Sequence, residues 1–167
     1  MAGMVDQLVE ILAEQTERYK ELLGLSLEKR DIIIKNDVDE LQKINNLENL
    51  VVNQNQKLEK KRIELVKDMA MALNQKEEDL NLNLLIDLME GRDEQKSLKE
   101  ARENIKSVVL ELKEVNEQNG QLVQNALDYI EYSTNVIRSS MGQQPATYAS
   151  GSDDVFLDES GYIDTKY

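Results

Sequence analysis

The spacing of apolar residues between residues 93 and 141 constrains the fold more than any other feature of the chain. Apolar and small side chains recur there at steps that alternate between three and four residues, which is the period of one stripe along an α-helix. A β-strand would need a period of two, which this segment lacks. The stripe consists of Leu98, Ala101, Ile105, Val108, Leu112, Val115, Asn119, Leu122, Ala126, Tyr129, Ser133 and Val136. The segment therefore predicts one long helix whose apolar side must be covered by other helices.

The composition also favours helices packed on helices. The chain has one Phe, no Trp and one Pro among its 167 residues. A core made of Leu, Ile, Val and Ala suits helix-on-helix packing, and the residue that interrupts helices is almost absent. An all-α protein is therefore expected.

Several classes of function are disfavoured by the residues that the chain lacks. Without Cys or His, it has no thiolate metal site and no histidine-activated nucleophile, and the Glu-x-x-His pairs of a di-iron bundle are missing. No glycine-rich phosphate loop is present. We therefore predict that the protein is not an enzyme and uses no cofactor or metal.

The charge and hydropathy of the chain bear on its partners and location. The net charge of −13 argues against binding to nucleic acids or anionic membranes. No run of 18 apolar residues could insert into a membrane, and the N-terminus lacks the features of a signal peptide. A cytoplasmic protein is expected.

The first two helices are predicted over about residues 4–35 and 37–73. Between them, Asp37 followed three residues later by Glu40 is typical of a capping box at a helix start. So short a connection makes the two helices antiparallel neighbours. The predicted buried row of the second helix is Leu41, Ile44, Leu47, Val51, Gln54, Leu58, Leu65, Met69 and Ala72.

A short helix is predicted over about residues 81–90, ended by Gly91, before the long helix at 93–141. We interpret residues 1–141 as an elongated antiparallel bundle of three long helices, with the short helix closing one end. From residue 142 onward, Gly, Ser, Thr, Asp and the single Pro predominate, which predicts a flexible acidic tail over 142–167.

The lengths of the helices predict an exposed end. The first two helices are on the order of 50 Å long, so about a dozen residues of the last helix should extend beyond them. The extending part is expected to start near Ala126 to Ile130. An uncovered apolar stripe there indicates a partner. Two alternatives remain open: the short helix shifts the alignment of the bundle, or the tail covers the stripe. The apolar residues in question are Tyr129, Ile130, Val136, Ile137 and Met141, with Leu127 on another face.

Two short motifs carry a family resemblance. Asn116 to Leu122 contains Asn-x-x-Asn-Gly before a leucine, and Pro145 is followed by Tyr148 shortly after the last helix. Together with the long helices, these motifs resemble the FlgN family of flagellar type III export chaperones. The family often has Gly after the tyrosine, where this chain has Ala149. Asn119 and Gly120 are expected to form a buried polar layer beside a helix irregularity rather than to contact a client.

The resemblance implies a function and a set of partners. Such chaperones bind the C-terminal segments of hook-associated (hook–filament junction) proteins, keep them soluble and monomeric in the cytoplasm, and deliver them to the type III export gate. It also implies that Tyr148 docks on the export gate. Together with the exposed stripe, it gives a predicted client-binding set: Leu122, Val123, Ala126, Leu127, Tyr129, Ile130, Ser133, Val136, Ile137 and Met141.

The protein is expected to be a monomer or a weak dimer. The alternative interpretation of the same heptads is a self-associating coiled-coil structural or adaptor protein. A stable assembly in solution would favour that alternative, because a chaperone should stay monomeric or dimerise only weakly.

Overall fold

The structure is a computed structural model that describes residues 2–142. It contains four helices: α1 (Ala2–Lys35), α2 (Val38–Ala72), α3 (Leu82–Leu88) and α4 (Asp93–Ser140). No strand occurs within this part of the chain. The predicted all-α class, with three long helices and one short one, is confirmed.

The turn between α1 and α2 makes these helices antiparallel. Asn36 takes a positive φ of 55°, a conformation that Asn tolerates better than most residues. Asp37 then caps α2, because its side chain accepts a hydrogen bond of 3.0 Å from the backbone N–H of Glu40. The predicted helix start is therefore confirmed.

Contacts between α4 and α1 show that these two helices are parallel. The start of α1 shares a buried core with Leu98 and Ala101, near the start of α4. Further along α1, Ser26 is hydrogen-bonded to Asn116 and Asn119 of α4. Early residues of α1 therefore lie beside early residues of α4 and later ones beside later ones, so the two helices run in the same direction.

The chain divides into two compact units, residues 1–127 and residues 128–167. The first unit contains α1, α2, α3 and most of α4. The described part of the second unit is the end of α4 and the two residues that follow it. The predicted domain boundary at residue 142 stays a prediction.

The core of the first unit is concentrated at the end where α1 begins and α2 finishes. Helix α3 covers this end with Leu85 and Ile86, and its N-terminus is capped by the Asn81 side chain, which accepts from the N–H of Leu84. Gly91 follows with a φ of 77°, which glycine adopts without steric cost. The buried cluster comprises Val5, Leu8, Leu12, Met69, Ala70, Leu80, Leu85, Ile86, Met89, Leu98 and Ala101.

The buried row of α2 differs from its prediction at three positions: Leu47, Gln54 and Ala72 are exposed. The inward positions are taken by Glu48, which is half-buried, and by Asn55 and Ala70, which are buried. Steps of four-then-three fit a seven-residue repeat as well as three-then-four, so the spacing alone does not distinguish the two rows. The prediction that Leu47, Gln54 and Ala72 face inward is wrong.

Polar side chains also connect α1 and α2. The buried Gln15 donates a hydrogen bond of 2.9 Å to Glu59 Oε2, and Arg62 donates to both carboxylate oxygens of Glu59. The hydrogen bond from Arg62 lowers the pKa of Glu59 despite its partial burial. Glu59 therefore stays ionised while it links the two helices.

Truncating Leu98 to Ala should destabilise the bundle, since Leu98 is fully buried in the core. We expect the free energy of unfolding to fall by about 2–5 kcal/mol, from lost burial and the cavity that remains. The matched control is Leu110→Ala on the same helix, where the side chain is 56% exposed and the loss should be under about 1 kcal/mol. Urea unfolding followed by far-UV circular dichroism measures both. Equal losses would contradict this core.

Candidate functional site

A buried polar layer connects α1, α2 and α4 near the end of the first unit. The buried side chain of Asn119 donates a hydrogen bond of 2.7 Å to the carbonyl of Ser26. The Ser26 hydroxyl lies 3.0 Å from Asn116 Oδ1 and 3.3 Å from Glu48 Oε1, so one proton serves two acceptors. Lys29 balances the charge of Glu48 through an ion pair of 2.9 Å. The layer therefore fixes the alignment of three helices.

Of the Asn116–Leu122 motif, Asn119 is buried in the polar layer, and Asn116 joins the layer from an exposed position. The expectation that Asn119 is part of a buried polar layer is confirmed. The expectation of a helix irregularity beside Asn119 is wrong, because α4 continues as a regular helix through Gly120. A Cβ atom added at Gly120 would meet nothing within 4 Å. One glycine costs a helix about 1 kcal/mol without interrupting it.

Four of the predicted client-binding residues lie in the first unit, where α1 ends. Leu122 and Ala126 are half-buried, whereas Val123 and Leu127 are exposed. These residues follow directly after the polar layer. Their side chains are therefore less covered than the core residues earlier in α4.

The other six predicted residues lie in the second unit. Ser133 is half-buried, and the five others are between 46% and 76% exposed. We call these five the exposed row: Tyr129, Ile130, Val136, Ile137 and Met141. Four of these large apolar side chains lie near the end of α4 and the fifth, Met141, directly follows it, and together they form a surface of the kind that marks protein interaction sites.

Several exposed apolar residues were not predicted. Tyr132 lies between members of the exposed row and is itself exposed. Ile34 and Val38 lie on either side of the α1–α2 turn, and Leu50 lies about three turns further along α2; all three are exposed. They lie outside the predicted buried rows, and no pattern in the sequence distinguishes them from partly covered neighbours.

The comparison with protein families is decisive for the identity of the chain. Residues 1–152 match the family described as FlgN protein. The chain belongs to the FlgN family. No significant similarity to a curated protein or to a solved structure was found.

Membership in the FlgN family gives the general role of the chain, that of a flagellar export chaperone in a family that is not enzymatic. The match covers all four helices and extends beyond Tyr148, but leaves residues 153–167 outside. Tyr148, predicted to dock on the export gate, lies outside the described residues.

Within residues 2–142 of this FlgN-family protein, no helix is long and apolar enough to cross a membrane. The same residues contain no cluster of three or more carboxylates that could hold a metal ion.

Charges placed on the exposed row should leave the FlgN-family bundle folded. We expect the double variant Ile130→Asp/Ile137→Asp to lose about 1 kcal/mol or less, because both side chains already face solvent. Val115→Asp on the same helix should lose about 3 kcal/mol or more, because it places an unpaired charge in the core. Thermal and urea unfolding provide the comparison. Unfolding of the double variant would mean that these residues are core.

Proposed function

We propose that this protein binds the C-terminal segments of hook-associated proteins in the cytoplasm, keeps them soluble and monomeric, and delivers them to the type III export gate. The family membership supports the class of client and the export route. The exposed row, on residues 129–141, is the observation that carries the binding site. Leu122, Val123, Ala126, Leu127 and Ser133 complete the proposed site on the same helix.

The geometry of the exposed row suits a helical client. Ile130 and Ile137 lie seven residues apart, and Tyr129 and Val136 repeat that spacing beside them. Such a row matches the i, i+3, i+4, i+7 anchors of an amphipathic helix. The client would lay its apolar side along α4 and leave its polar side in water.

The area still exposed on the row sets the scale of the affinity. Because the five side chains are already partly covered, burying the remainder would contribute on the order of 5 kcal/mol from this side. A client helix would contribute a similar amount, and association costs at least about 4 kcal/mol of the total. The remainder, about 6 kcal/mol, corresponds to a dissociation constant of tens of micromolar.

The client-binding proposal is tested with Ile130→Asp/Ile137→Asp. We expect binding of a hook-associated protein's C-terminal segment to fall by about a hundredfold or more, because each carboxylate would be desolvated at the contact. Isothermal titration calorimetry with purified protein measures the affinity.

The matched control is Ile63→Asp/Met71→Asp on α2, whose side chains are 50% and 65% exposed against 59% and 57% for the test pair. This control has the same change in charge and should bind the client segment like the wild type. Unchanged binding by the test variant, with its helix content intact, would remove the exposed row from the proposed site.

A separate prediction concerns Tyr148. We propose that Tyr148 docks on the export gate, so Tyr148→Ala should keep its affinity for the client while secretion of the client falls. The control is Tyr162→Ala, which lies beyond the family match. A secretion assay, paired with calorimetry on the same variants, measures both effects. Normal secretion by Tyr148→Ala would withdraw the docking role.

A further inference from the structure

We propose that the bound client covers the end of α4 with two helices rather than one, as a helical hairpin whose two arms lie on opposite sides of Ser133. This inference rests on the proposed function and deepens it, because it gives the form that the bound C-terminal segment takes. The width of the apolar surface on residues 129–137, exposed on both of its sides, is the observation that carries it.

The apolar surface extends around nearly half of the helix. Successive residues of an α-helix are turned by about 100°, so Tyr132 and Ile130 lie about 160° apart, with Ser133 between them. We call Tyr129, Tyr132 and Val136 the tyrosine side of this surface, and Ile130 and Ile137 its isoleucine side. The charged and amide side chains of the same segment all lie outside this sector: Asp128, Glu131, Asn135 and Arg138.

A surface of this width is typical of a helix that has two neighbours. A helix paired with one partner needs apolar residues at about two positions of each heptad, and a helix inside a bundle needs about three. Here Tyr129, Ile130 and Tyr132 occupy three positions of one heptad and flank a fourth, which holds the small Ser133. One client helix would cover Ser133 and one side, and would leave the other side in water.

Neither side is covered within the described residues. Tyr132 on the tyrosine side is 68% exposed, and Ile130 on the isoleucine side is 59% exposed. Ser133 is half-buried, because it lies between larger side chains on the same helix. Both sides of the surface can therefore receive a partner helix.

The earlier part of α4 already has two helical neighbours. Leu98 and Ala101 share one buried cluster with Val5 of α1 and Met69 of α2. The surface of α4 is narrower there, since Gln118, two heptads before Tyr132, is polar and exposed. A wider apolar surface on the same helix is therefore expected to take at least two helices.

One client that supplies both helices is favoured over two separate partners. Once the first arm is bound, the second arm binds at a high effective concentration, because a short turn joins the two. Each arm lies along residues 129–141, which is about 20 Å of helix. Two such arms and their turn correspond to a client segment of roughly 30 residues.

Single charges on the two sides test the inference. Tyr132→Asp and Ile130→Asp should each weaken binding of a hook-associated protein's C-terminal segment by about tenfold or more, because each variant places a carboxylate in the contact with one arm. The matched control is Asn135→Asp, an exposed position outside the apolar surface, which should bind like the wild type. Isothermal titration calorimetry on the full-length proteins measures the affinity, and circular dichroism checks that their helix content is unchanged.

Dividing the client tests whether both arms are needed. The two halves of the C-terminal segment, used as separate peptides, should each bind the wild-type protein at least about tenfold more weakly than the intact segment. Titration of the intact segment should give one client per chain.

Three results would overturn the inference and leave the proposed function standing. If only one of Tyr132→Asp and Ile130→Asp weakens binding, the client covers one side alone. If one half of the segment binds as tightly as the whole, a single helix is sufficient. A complex of two clients with one chain, or of two chains with one client, would mean that another molecule covers the second side. If the intact segment does not bind the wild-type protein, the proposed function fails and the inference fails with it.

Discussion

The hydrogen bond from Asn119 to the carbonyl of Ser26 sets the alignment on which the rest of the structure depends. An apolar stripe with a seven-residue period could slide by one heptad and still bury similar area. The buried amide nitrogen of Asn119 opposes such a slide, because moving it away from the Ser26 carbonyl would break its buried hydrogen bond. The layer around Ser26 therefore fixes which residues of α4 lie beside α1 within the first unit.

Much of the fold was predictable, because the periodicity of apolar residues indicates a long helix and capping residues indicate where a helix starts and ends. Asp37 and Glu40 located the start of α2, and the amide-rich motif located the polar layer at Asn119. The errors in the buried row of α2 lie where two helices had to be considered together. Glu48 faces inward because its carboxylate binds Lys29 and Ser26 on α1. Nothing in the sequence of α2 alone favours Glu48 over Leu47 at the inward position.

The candidate site was predictable to a lesser degree. The comparison of predicted helix lengths indicated an uncovered apolar stripe from about Ala126 to Ile130 onward, and the side chains of the exposed row are exposed in the described residues. Tyr132 and Ile34 escaped prediction because exposure of a single apolar side chain leaves no periodic signal. The docking role proposed for Tyr148 rests on the family resemblance, and the described residues 2–142 do not include Tyr148.

The exposed row must satisfy two opposed requirements. It needs enough apolar area to hold a client, yet that same area invites self-association. The chain limits self-association while it keeps the apolar area that a client needs. Ser133 interrupts the row, and the net charge of −13 opposes large assemblies.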